Sequence, residues 1–300
     1  MSHCIDNLAR VGDAVHPQRR DALRRLFARV GEVTALPESA MNVVRLASRP
    51  DADGQEVCEA IKLDPALTTR VLRTVNSSQY GLRNRVGNLQ TAVSLLGLRE
   101  IKALAQSIYL SKMFAPAGVY RSYSRQGLWK HCIAVARLSE RIAESVGDVD
   151  VEAAYFAGLL HDIGLIVLDQ SMRRVFCKVV DELTPGCDLR QIERDLMTFD
   201  HTHLGAFLTE SWKMPPSVVA AAEHHHEPQV CLDEHRRLVC VVAVANFFVS
   251  RHGVPALGVD AVRYPGDAIL EELGLDEGTS LELIQSLPEV LKHAETQVGI

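Results

Sequence analysis

The sequence predicts an all-α protein, and three observations carry that expectation. Apolar residues recur at three- and four-residue steps along both halves of the chain. No segment of the first half sustains the period-two alternation of a half-buried strand. The breaks between apolar runs fall at residues that start or stop helices, such as Asp64-Pro65, Gly97, Gly147-Asp148, Pro185-Gly186 and Pro215-Pro216.

Taken in order, residues 1 to 26 are polar and mixed in charge, and read as an N-terminal arm. From Leu36-Pro37-Glu38-Ser39 the pattern turns helical, with Val43, Val44 and Leu46 on a first helix that ends near Pro50-Asp51. Asp64 suits an N-cap and Pro65 the first helical position, ahead of an apolar side made by Ala66, Leu67, Val71, Leu72 and Val75. Asn76-Ser77-Ser78 and Gly81 close that helix. Thr91 to Leu96 and Leu98 to Met113 read as two helices broken at Gly97. Residues 115–126, with Pro116 and Gly118, read as a connection. A second helical block follows to about Arg251, and Gly253-Val254-Pro255 introduces a C-terminal segment with two small amphipathic helices. The expected divisions are therefore 1–26, 27–252 (split into 27–115 and 127–252) and 253–300.

The bulk numbers narrow the class. The chain has 300 residues, 47% hydrophobic and 23% charged, as expected of a soluble globular protein. A net charge of -6 gives no general attraction to nucleic acid or anionic lipid, so neither is expected as a partner. Scattered arginines such as Arg19-Arg20 and Arg24-Arg25 read as a solvated helix face. Seven cysteines without a C-x-x-C pair suit reduced thiols. Leu238 to Ala245, read as the longest apolar stretch, is too short to span a bilayer. With no signal-peptide pattern at Met1 to Asp6, the expected location is the cytoplasm.

Chemistry-bearing residues concentrate in the second block. Phe156, Leu159, Leu160 and Ile163 mark the buried face of a helix that reaches His161-Asp162 and stops at Gly164. Leu128, His131, Val135, Leu138 and Ile142 repeat at alternating three- and four-residue steps, which puts His131 on a buried stripe. Asp200 can cap a helix beginning at His201, and a helix N-terminus favours a neutral imidazole there. His224, His225 and His226 follow the helix from Pro216 to Glu223. Asn246 shares a stripe with Val239, Val242 and Val249. A lone histidine on such a stripe is more often a hydrogen-bonded core residue. Several within one block point instead to a shared polar site, because each desolvated imidazole is costly. Neutral imidazoles are common ligands of divalent transition metals.

These residues, in this order, resemble the HD superfamily of metal-dependent phosphohydrolases, and more closely its HDOD branch. Asp64-Pro65-Ala66-Leu67, Val75-Asn76-Ser77-Ser78-Gln79-Tyr80-Gly81 and Leu95-Leu96-Gly97-Leu98 are similar to that branch's first half. Leu128-Trp129-Lys130-His131, Ala157 to Gly164, Asp200-His201 through Gly205, Trp212, Pro215 and His225-His226-Glu227-Pro228 are similar to its second. The resemblance implies an N-terminal helical subdomain packed on a degenerate HD-type helical core. It also implies a metal site drawn from His131, His161, Asp162, His201, His225 and His226, with Asn246 at the place of the usual last aspartate. His203 and His224 are expected to stand aside.

Departures from the pattern shape the functional expectation. Phosphodiesterases of this type usually follow His-Asp-Ile-Gly with a lysine, and here Leu165 stands in that place. Asn246 is neutral where an aspartate is usual. With Asp162 the only carboxylate placed at the site, at most one divalent ion is expected, of iron, zinc or manganese. The leading expectation is a signal-transduction module acting on signalling proteins through protein contacts, without catalysis. The alternative is a metal-dependent phosphohydrolase acting on a nucleotide or cyclic dinucleotide, with Asp162 among its catalytic groups.

Overall fold

The computed structural model of the chain describes residues 38–298, apart from 48, 50, 77–81, 83, 84, 116 and 232. The expected arm over 1–26, Leu36-Pro37 and Ser77 to Gly81 lie outside the described residues. The fold is all-α, in two compact units: one whose described part runs from Glu38 to Met113, and one whose described part begins at Phe114.

The first unit contains α1 (Glu38–Ala47), α2 (Gly54–Lys62), α3 (Pro65–Val75) and α4 (Leu89–Met113). Aspartates start two of them: Asp53 accepts from Gln55 N at 2.9 Å, and Asp64 from Leu67 N at 3.0 Å. Leu67, Val71 and Val75 are fully buried with Val43, Val57, Ile61, Ile101 and Leu104. Asn76 then staples the end of α3 to the next segment. Its amide donates to Leu72 O and Val86 O, and its oxygen accepts from Val86 N, each at 2.7 Å. Gly97 has φ 77°, so α4 is kinked where the sequence predicts two helices.

The second unit opens with a two-residue antiparallel hairpin, β1 (Val119–Tyr120) and β2 (Tyr123–Ser124), inside the expected connection. Then come α5 (Arg125–Val146), α6 (Val151–Leu160), α7 (Ile163–Ser171), α8 (Arg173–Glu182), α9 (Leu189–Met197), α10 (His201–Ser211) and α11 (Pro216–His224). The unit ends with α12 (Asp233–Arg251), α13 (Asp267–Leu273) and α14 (Glu277–Val298). Helix α5 is central: it packs on α6, α12 and α14, while α6 packs on α11 and α12, and α7 on α10. The described residues of the C-terminal segment belong to this unit.

Two sequence expectations need correction. The apolar helix does not stop at Gly164. It stops at Leu160, His161 and Asp162 form the turn, and Gly164 lies in the first turn of α7. The glycine serves close packing: a Cβ there would sit 1.9 Å from the carbonyl oxygen of His201. Gly158 does the same for α6 against α5, since its Cβ would meet Ala136 Cα at 2.8 Å. The second correction concerns apolar length. Val151–Ser171 spans 21 residues and contains an 18-residue window with a mean hydropathy of 1.6, enough by composition to cross a membrane. Of that window 83% is buried inside the protein, as befits core helices.

Candidate metal centre

Three helices and one turn bring the predicted residues together. His131 comes from α5, His161 and Asp162 from the turn after α6, His201 from the first position of α10, and His225 and His226 from the end of α11. The close approaches at Gly158 and Gly164 draw α6 to α5 and α7 to α10, and so close the ring of histidines around Asp162.

The Asp162 carboxylate is the centre. Its Oδ2 lies 3.5 Å from His131 Nε2 and 3.3 Å from His161 Nε2. Its Oδ1 lies 3.3 Å from His201 Nε2 and 3.4 Å from His225 Nε2. His226 Nε2 is 3.2 Å from His201 Nε2, and the Nε2 atoms of His131 and His161 are 3.3 Å apart. Two donor groups result, both containing Asp162: His131 with His161, and His201 with His225 and His226. Within each group the donor atoms lie within 4.8 Å of one another.

Hydrogen bonds behind the rings settle which nitrogen faces inward. Nδ1 of His131 donates to Val254 O at 2.6 Å, that of His161 to Gly158 O at 2.7 Å, and that of His225 to Ala221 O at 3.0 Å. His201 Nδ1 donates to Glu193 Oε2 at 2.7 Å. With Nδ1 carrying hydrogen, each Nε2 turns a lone pair towards a carboxylate and other lone pairs. His225 Nε2 is buried without a hydrogen-bond partner. Such a nest of acceptors needs a cation or extra protons. Donors at about 2.0–2.1 Å around a tetrahedral ion stand about 3.3 Å from each other, close to the separations found here. The residues present therefore fit a divalent transition-metal ion, which would supply positive charge and Lewis acidity when bound.

Without an ion, protonation is uneven. Burial disfavours the charged forms throughout. It outweighs the nearby Asp162 at His225, which is pushed down to about 4, and holds His226 well below the usual imidazole range. At His201 burial is overcome by Glu193 and Asp162, and the ring is lifted to about 10. Asp162, although buried, is held well below the carboxylate range by His161, His131 and His201.

Glu193, which the sequence reading did not single out, stands directly behind the nest. It is 0% exposed on α9, and the same Oε2 also accepts from His201 N at 3.1 Å. Asp162 is therefore not the only carboxylate at the site, and the charge argument for at most one ion loses its premise. Leu189, Glu193 and Met197 form a buried stripe at four-residue steps. That signal resembles the one that singled out His131.

His203 and His224 have neighbours outside the nest. His203 Nδ1 is 3.0 Å from Asp200 Oδ1 within the cap of α10, where Asp200 also accepts from Thr202 N at 3.0 Å. His224 lies beside Glu223. Asn246 is buried on α12, and its Oδ1 accepts from the Ser250 hydroxyl at 3.2 Å. Leu165 is 0% exposed inside α7.

Known proteins agree with this architecture. In sequence the chain is 30% identical over 183 residues to ribonuclease Y of Mycoplasma capricolum subsp. capricolum, covering 60% of this chain and 30% of that protein. It spans less than half the length of the curated relatives it matches. Its fold is similar to an HDOD domain protein of unknown function from Geobacter sulfurreducens, with a TM-score of 0.72, 22% identity, and coverage of 89% of this chain and 93% of that one. It is also similar to a Marinobacter aquaeolei VT8 protein whose description assigns it to signal transduction, with a TM-score of 0.79, 25% identity, and coverage of 97% and 68%. The HDOD domain family matches residues 33–228, well over half the chain. With that match and the histidines in family order around Asp162, the chain belongs to the HDOD domain family.

Proposed function

We propose that this protein is a cytoplasmic regulatory module of signal transduction, whose histidine–aspartate nest holds a divalent ion as a structural or sensing element rather than as a catalyst. It acts through contacts with signalling proteins. One observation carries the reading: the nest is closed. Asp162, His131, His161, His201 and His225 are at most 3% exposed, and only His226 is half-buried. A phosphoester substrate needs to reach the metal and to meet cationic groups that stabilise developing charge. Leu165 offers neither charge nor a side-chain donor, and it is buried.

A second reading has its own support. Asp162 belongs to both donor groups, and a carboxylate shared in this way suits a two-metal phosphohydrolase. The similarity to ribonuclease Y points the same way.

The deciding experiment combines metal analysis of protein purified without a His-tag with hydrolysis assays in manganese- and iron-supplemented buffer. The regulatory reading expects bound metal and no turnover of cyclic di-GMP or an RNA oligonucleotide above a His161→Ala control. Metal-dependent turnover that this substitution abolishes establishes the phosphohydrolase reading instead.

A further inference from the structure

We propose that Glu193 is a positioning residue that makes His201 the strongest donor of the nest and seats the first metal ion in the group Asp162, His201, His225 and His226. The inference rests on the reading above that the nest holds an ion.

The four inward-facing rings with a partner at Nδ1 are not supported alike. His131, His161 and His225 each lean on a neutral backbone carbonyl, of Val254, Gly158 and Ala221. His201 alone among them leans on a carboxylate, 2.7 Å from Nδ1. A carboxylate behind an imidazole fixes the tautomer, locks the ring plane and makes the opposite nitrogen more basic towards a metal. The same Glu193 oxygen also holds the His201 backbone N–H at 3.1 Å, which sets the start of α10 and the ring together.

A purely structural role explains Glu193 poorly. Its other oxygen, Oε1, is buried with no hydrogen-bond partner. The charge gains a purpose if it faces a cation across the His201 ring. The His201 group also offers four donors against three in the His131 group, and four suit a closed tetrahedral site.

The test is a cobalt(II) titration of the metal-free chain, followed by ligand-field absorption. Wild type, Glu193→Gln, Glu193→Asp and the control Glu182→Gln are compared, Glu182 being exposed on α8. Glu193→Gln can keep an oxygen acceptor but loses the charge, so cobalt affinity should fall about 10- to 100-fold. Glu193→Asp should recover part of the loss, and Glu182→Gln should match wild type. Histidine-ring ¹⁵N spectra should show the His201 Nδ1–H signal of the wild type displaced in Glu193→Gln. If Glu193→Gln does not fold, Glu193→Asp decides, with an affinity between wild type and the loss predicted for the glutamine variant. Wild-type affinity in every folded Glu193 variant, with an unchanged His201 signal, overturns the positioning role and leaves the metal reading intact. Failure of the wild type to bind cobalt overturns both.

Discussion

Asp169→Asn tests how the second unit holds the helix that carries His131. Asp169 is 1% exposed near the end of α7. Its Oδ2 accepts from Arg125 Nε at 2.5 Å and from the Tyr123 hydroxyl at 3.1 Å, and its Oδ1 from Arg173. One carboxylate thus ties the hairpin, the start of α5 and the start of α8 to α7. Burial and the Asp169 charge also keep the Tyr123 phenol protonated far above its ordinary range. Two charges about 4 Å apart attract by about 4 kcal/mol at an effective dielectric of about 20. Asparagine removes both arginine attractions and turns an N–H towards a donor, while relieving the desolvation of a charge. Removing one partner of a buried network of this kind costs about 3–5 kcal/mol in net terms. Both tryptophans of the chain, Trp129 and Trp212, are buried in this unit, so their fluorescence in a urea titration reports it alone. The expected result is a midpoint shift worth about 3–5 kcal/mol at an unchanged slope. A loss below about 1 kcal/mol, the range of exposed pairs, refutes the argument.

Three further substitutions are read by the same fluorescence assay, the last of them also by a hydrolysis assay. Gly164→Ala should unfold the unit or cost more than about 3 kcal/mol, because its Cβ would meet a backbone carbonyl at 1.9 Å; Gly205→Ala, whose Cβ would meet nothing closer than 3.5 Å, should be neutral or stabilise by up to about 1 kcal/mol. Leu165→Lys should destabilise by several kcal/mol and confer no hydrolysis of cyclic di-GMP, since position 165 is fully buried and an ammonium there has no water.

What was legible in the sequence follows from what periodicity can carry. Stripes of three and four residues located the fully buried faces of α3 and α5, and the turn residues Asp64 and Asp200 act as the caps they suggest. The order of histidines, through the family resemblance, located the nest. The Gly164 reading failed for a physical reason: a glycine that ends a helix and a glycine that admits a neighbouring backbone look alike in sequence, and only the partner, here the His201 carbonyl, tells them apart. Val254 was invisible for a stronger reason. It contributes a backbone oxygen to His131 across 123 residues, and every residue has that group. Glu193 was legible and went unread. A glutamate at four-residue spacing between Leu189 and Met197 follows the logic that flagged His131, but charged side chains on helices are usually assigned to solvent. Asp169, on an almost continuously apolar helix, was open to the same reading. In both cases the buried acid faces a cationic or polar partner brought from another element. A carboxylate on an apolar stripe is therefore evidence for a missing partner, and at Glu193 that partner is the ring that separates it from the centre of the nest.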